Sequence, residues 1–126
     1  MKHALVVDDS AVIRKIAKRM LASLNFSVQE AENGAAALNY CRQTMPDVIL
    51  LDWNMPVMDG MEFFEQLQTM PRRGRAKVVF CTTENEKSKI LRVIEAGADE
   101  YIMKPFDEHI LRLKLQQIGL ISAESE

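Results

Sequence analysis

The strongest constraint on the fold is a hydrophobic period that switches back and forth, over five units, between a short strand-like run, apolar in most of them, and apolar residues at helical intervals. The first switch runs from Ala4–Val7 into Val12, Ile13, Ile16, Ala17, Met20, Leu21 and Leu24, which predicts a strand and then an amphipathic helix. Ser10 stands where such a helix takes its N-cap. The pattern recurs as Ser27 to Ala31 with a helix near Ala35 to Gln43, and as Val48 to Leu51 with a helix near Met61 to Gln68. Val78 to Cys81 precedes a helix around Glu86 to Ala96, which Gly97 ends in a left-handed conformation. Tyr101 to Met103 precedes a last helix from about Asp107 to Ile118. Such a chain is of the α/β class, a five-stranded parallel sheet with helices on both faces. Right-handed crossovers bring every strand's C-terminal end to one edge, where ligands of open α/β sheets collect.

At 126 residues with 48% hydrophobic content, the chain is the size of one globular domain, expected over residues 1–119 with a short polar tail at 120–126 that frays. A formal charge of -2 gives no footprint for nucleic acid. The apolar run before Asp8 is too short for a secretory signal or a membrane span, so a cytoplasmic protein is expected. Cys41 and Cys81 sit in apolar contexts without metal-ligand spacing and read as buried reduced thiols. Pro71 and the run from Arg72 to Arg75 read as a solvated connecting loop, and His3 and His109 as surface residues.

The predicted strand ends carry Asp8 and Asp9 after the first strand, Asp52 after the third, Thr82 after the fourth and Lys104 after the fifth. Any one of these alone reads as a helix cap or a turn. Together at one edge they point to chemistry. Carboxylates crowded in a cleft raise one another's pKa values and need a cation, and an all-oxygen set with room for water suits Mg2+ over zinc. Lys104 and the Thr82 hydroxyl complement the oxygens of a phosphoryl group, with Asp52 as the nucleophile that receives it. Lys104 is followed by Pro105, and a cis peptide there would pin the lysine's direction.

At these residues the sequence resembles a response-regulator receiver domain of the single-domain chemotaxis type. The likeness is carried by Val-Val-Asp-Asp-Ser at 6–10, Asp-Trp-Asn-Met-Pro-Val-Met-Asp-Gly at 52–60, Ala-Gly-Ala-Asp-Glu-Tyr at 96–101 and Lys-Pro-Phe at 104–106. It implies the flavodoxin-like strand order 2-1-3-4-5, of which chemotaxis receivers are themselves a standard example. It also implies phosphorylation of Asp52, direct Mg2+ ligation by Asp9, Asp52 and the Asn54 carbonyl, and action of Asp8 through metal-bound water. Thr82 and Lys104 then read the phosphoryl group, and Tyr101 turns inward as the switch aromatic. Asn54 and Glu84 occupy the family's positions for tuning self-dephosphorylation. Thr83 departs from the family's usual alanine or glycine, and its branched side chain bears on the access of the attacking water.

The resulting expectation is a two-component phosphoacceptor switch, not an enzyme beyond its own phosphotransfer and autodephosphorylation. A sensor histidine kinase supplies the phosphoryl group, and a separate output protein binds the face around Tyr101: a flagellar motor switch first, a phosphorelay or kinase-regulating partner second. A monomer is expected, with no nucleic-acid or membrane partner and no attached output module. Two other classes fit less well. A phosphohydrolase of the haloacid-dehalogenase kind carries its nucleophile on the first strand and adds a cap, and a flavodoxin would set three acidic residues against its cofactor's phosphate.

Overall fold

Each apolar run becomes a strand and each helical-period stretch a helix in the computed structural model, which describes residues 1–83 and 88–122. In order these are β1 (Lys2–Val7), α1 (Ala11–Ser23), β2 (Phe26–Ala31), α2 (Gly34–Gln43), β3 (Val48–Asp52), α3 (Gly60–Leu67), β4 (Lys77–Thr82), α4 (Ile90–Glu95), β5 (Glu100–Met103) and α5 (Glu108–Gln117). The strands form one parallel sheet in the order β2-β1-β3-β4-β5, the flavodoxin-like arrangement. The expected start of the fourth helix at Glu86 lies outside the described residues. No helix among the described residues is long and apolar enough to cross a membrane.

Successive residues of a strand face opposite sides of a sheet, so a strand covered on both sides must be apolar throughout. Ala4–Val7 of β1 and Val48–Leu51 of β3 obey this. Leu5, Val7, Ile49 and Leu51 pack with Leu38 of α2, Phe63, Phe64 and Leu67 of α3, and Val93 of α4. Ala4, Val6, Val48 and Leu50 pack on the other side with Ala17 and Leu21 of α1 and Leu111 and Leu115 of α5. Full burial of each large aliphatic side chain contributes about 1.5–3 kcal/mol, which makes these two layers the main source of stability.

Side-chain caps set where the helices begin. Ser10, Asn33, Asp59 and Asp107 each accept a hydrogen bond from the backbone N–H three residues on, and Glu62 closes a reciprocal capping box with Asp59. Gly97 ends α4 at φ 114, a conformation that costs a side-chain-bearing residue, and the N–H groups of Gly97 and Ala98 close back on Ile94 and Val93.

One expectation is corrected and two gain detail. The first concerns the tail. The N–H groups of Gly119 and Leu120 close on the carbonyls of Gln116 and Leu115, which folds Leu120 into the core beside Leu115, with Ile121 packed against it. The second concerns α1, whose apolar stripe is wider than its buried face: Ala17 and Leu21 are buried, while Val12 and Ile16 are 65% and 46% exposed. The third concerns the basic loop, which is partly structural. Arg73 donates to the Ala76 carbonyl (2.7 Å) and to Gln68 Oε1 (2.9 Å), and its guanidinium lies 5.6 Å from the Phe64 ring centroid. His3 and His109 are exposed and Cys41 and Cys81 are buried free thiols, as expected.

Candidate functional site

Strand register alone brings the chemistry-bearing residues together. Val7 pairs with Leu51, so Asp8 and Asp52 emerge side by side from β1 and β3. Asp52 pairs with Cys81 and Thr82 with Met103, so Thr82 and Lys104 follow at the same edge. The approach of α3 to this edge depends on Gly60, whose N–H donates to the Trp53 carbonyl (2.9 Å) and where any Cβ would collide with the Asp52 carbonyl oxygen.

Lys104 Nζ lies 2.9 Å from Asp52 Oδ1 and 3.0 Å from Asp8 Oδ2. Its backbone N–H donates to the Thr82 carbonyl (2.6 Å), and its peptide bond to Pro105 is cis. Asp52 Oδ1 also accepts the Trp53 N–H at 2.9 Å. Lys104 and the Trp53 N–H both bond to Oδ1 of this carboxylate, and Oδ2 is the oxygen they leave available. Asp8 is held from behind: its Oδ1 accepts the Ser10 N–H (2.9 Å), and its carbonyl accepts from Arg14, which is paired in turn with Glu30.

Burial pushes the Asp52 carboxyl up from the ordinary carboxylate range and the charge of Asp8 adds to this, against the hydrogen bond and charge of Lys104. For Lys104, burial works to lower the ammonium's pKa, but the hydrogen bonds and charges of Asp52 and Asp8 override it and raise the pKa. The lysine therefore stays charged between two carboxylates. Asp8, Asp9 and Asp52 each offer a carboxylate oxygen within 4.8 Å of the others, with Asp9 exposed and the other two buried. Oxygen-only donors open to solvent on one side fit a hard cation that keeps water ligands, and the absence of His and Cys from the cluster disfavours zinc.

The remaining expected residues sit at different distances from this centre. Thr82 is fully buried, and its hydroxyl faces Met103 Sδ at 3.6 Å. Asn54 is exposed in the loop that follows Asp52. Thr83 lines a cleft of about 390 Å³ with Lys104, Pro105, Phe106 and the α1 residues Ile13 and Ile16. Tyr101 is half-buried on β5, where Lys114 Nζ stands 4.2 Å from its ring centroid. Glu84 lies outside the described residues. Sequence reasoning missed Arg14 and the Trp53 N–H, whose roles depend on strand register and on a backbone group that carries no sequence signal.

A model of the response regulator receiver domain matches residues 4–116. The chain is 34% identical over 116 residues to the chemotaxis protein CheY1 of Helicobacter pylori, covering 90% of this chain and 94% of that one. It is equally similar to a chemotaxis CheY homolog of Campylobacter jejuni, at 34% identity over 90% of this chain and 89% of that one. Among solved structures, the chemotaxis response regulator CheY4 of Vibrio cholerae superposes with a TM-score of 0.86 at 32% identity, covering 94% of this chain and 98% of that one.

Proposed function

This chain belongs to the response regulator receiver family of two-component systems, and from that premise we propose that Asp52 is its phosphoacceptor and a histidine kinase its phosphodonor. The observation that carries the reading is one carboxylate at the end of β3, held through Oδ1 by Lys104 and the Trp53 N–H, with Asp8 and Asp9 beside it.

Asp52 Oδ2 attacks the phosphorus of a phosphohistidine: an O–P bond forms, the N–P bond breaks, and its electron pair returns to the imidazole, which takes a proton from solvent. Lys104 neutralises charge on the phosphoryl oxygens as they approach, and the Thr82 hydroxyl turns from Met103 to donate to the transferred group. Asp9, Asp52 and the Asn54 carbonyl would hold Mg2+, with Asp8 acting through water, and the ion would supply the positive charge that three crowded carboxylates and an incoming phosphate require. Thr83, Asn54 and Glu84 then set how readily water reverses the modification.

Phosphorylation shifts a two-state equilibrium that is read on the face of α4, β5 and α5 around Tyr101. Leu91, Ile94, Ile110 and Leu113 are exposed apolar residues of α4 and α5 and fit the role of partner contacts. The chemotaxis names of the relatives make a flagellar motor switch the first choice of output protein and a phosphorelay or kinase-regulating protein the second. On this reading the chain works in the cytoplasm as one receiver unit, monomeric, without a nucleic-acid or membrane partner.

Intact-mass spectrometry after incubation with acetyl phosphate tests the chemistry. The expected result is a gain of one phosphoryl group that requires both Mg2+ and Asp52. An adduct that persists in Asp52→Asn, or a wild type that takes neither phosphoryl nor beryllofluoride, would overturn the assignment.

A further inference from the structure

Lys89, the residue that precedes α4, places its ammonium over the indole of Trp53, with Nζ 4.8 Å from the ring centroid. Trp53 follows the candidate phosphoacceptor directly, and its peptide is fixed at both ends. The N–H donates to Asp52 Oδ1 and the carbonyl accepts the Gly60 N–H, each at 2.9 Å. The buried indole also packs on Phe80 of β4, with centroids 5.4 Å apart. A cation held on this ring therefore bears on the peptide that orients Asp52, and it reaches the ring from a helix that contributes nothing else to the site among the described residues.

We propose that Lys89 is a positioning residue for Asp52, acting through Trp53, and that the same contact ties the start of α4 to the state of the carboxylate. The inference rests on Asp52 being the phosphoacceptor. In the resting protein the ammonium is attracted by the negative face of the indole, which immobilises the ring and with it the Trp53 N–H. A phosphoryl group on Asp52 adds full negative charge close to that ring, and a charge–charge attraction in a partly desolvated site outcompetes a quadrupole. Lys89 then leaves the ring toward the phosphate and takes the beginning of α4 with it. The bland alternative is that the lysine stem only covers apolar surface, as long charged side chains do.

The test compares wild type, Lys89→Met, which keeps the stem, and Lys89→Arg, which keeps the cation. Trp53 is the single tryptophan, so all indole emission comes from this site, and the comparison among variants isolates the part that depends on Lys89. The rate of adduct formation with acetyl phosphate and Mg2+ is followed by intact mass, and the emission change on adding beryllofluoride is recorded on the same samples. The expected result is that Lys89→Met slows phosphorylation by about threefold or more and loses most of the emission change, while Lys89→Arg retains most of both. Lys89→Gln replaces the methionine variant should circular dichroism show the latter unfolded. Wild-type rate and emission response in the Met variant would overturn the proposal. So would an Arg variant as impaired as the Met one, because the fit of the stem would then explain the effect. A wild type that takes no adduct at all would instead overturn the assignment of Asp52.

Discussion

Asp52 is held in a conflict that its neighbours only partly resolve. Burial and Asp8 push its carboxyl above the ordinary value of 3.8, and Lys104 and the Trp53 N–H do not fully offset them. A carboxyl raised on folding contributes stability that is fully present below its unfolded pKa and is lost as pH rises through the folded one. Without Mg2+, Asp52→Asn should therefore melt higher than wild type at pH 7, with the gap closing toward about pH 4, and thermal melts across that range decide the matter. A gap that widens on acidification would show the ionised carboxylate to be a net stabiliser. Mg2+ should act in the opposite sense, raising the wild type by about 2.7 kcal/mol at one hundred times its Kd and the variant by much less. Val57, in the loop beyond Asp52, holds a second conflict. It is β-branched at φ 69 and 81% exposed, with the Met58 N–H closing on the Pro56 carbonyl at 2.7 Å across it. Left-handed backbone at such a residue costs on the order of 1–3 kcal/mol, and little burial offsets it. Val57→Asn, which tolerates that conformation, should raise the urea midpoint by an amount equivalent to about 1 kcal/mol. An unchanged midpoint would mean that the loop relaxes at no cost.

At the scale of elements, what the sequence revealed and what it hid divide by the range of the interaction. Strand and helix positions were legible because periodicity, caps and the glycine after α4 act over a few neighbouring residues. The convergence of Asp8, Asp9, Asp52, Thr82 and Lys104 was legible too, since parallel strands joined by right-handed crossovers must end at one edge. The exposed side of α1 was not, because Val12 and Ile16 fit the helical period as well as Ala17 and Leu21 do, and only the packing of α1 on the sheet chooses between them. The link from Arg14 to Glu30, 16 residues apart, and the contact of Lys89 with Trp53 reach beyond any local pattern and leave no trace in one. The end of α5 was misjudged for a further reason. A glycine after a helix signals a stop, but the hydrogen bonds that follow it decide whether the next residue turns in or out. Leu120 turns in, and Leu120→Ala should cost about 2 kcal/mol, the low end for a buried leucine at a helix terminus, measured by urea unfolding. A cost below a few tenths would restore the frayed tail.

Across the whole molecule, one sheet is the shared wall of two cores, and each core contains a single buried cysteine. Cys41 packs in the layer of α2, α3 and α4, and Cys81 in the layer of α1 and α5. Burial pushes the Cys41 thiol up to about 11 and the Cys81 thiol up to about 12. At pH 8 the native thiolate fraction is then on the order of one in a thousand or less, so alkylation reports opening of the fold. The sign of the linkage agrees, since thiols raised on folding contribute stability below about pH 9 that is lost as pH climbs through the folded values. Neither layer can detach without exposing the face of β1, β3 and β4 that it covers, so the two should open together as one two-state unit. Pulsed alkylation with increasing urea, read by peptide mass, should give Cys41 and Cys81 the same midpoint. Modification of Cys41 at clearly lower urea would mean that the layer containing α3 and α4 opens by itself. The site edge and the output face would then be coupled through local unfolding of that layer instead of through a shift of the intact fold.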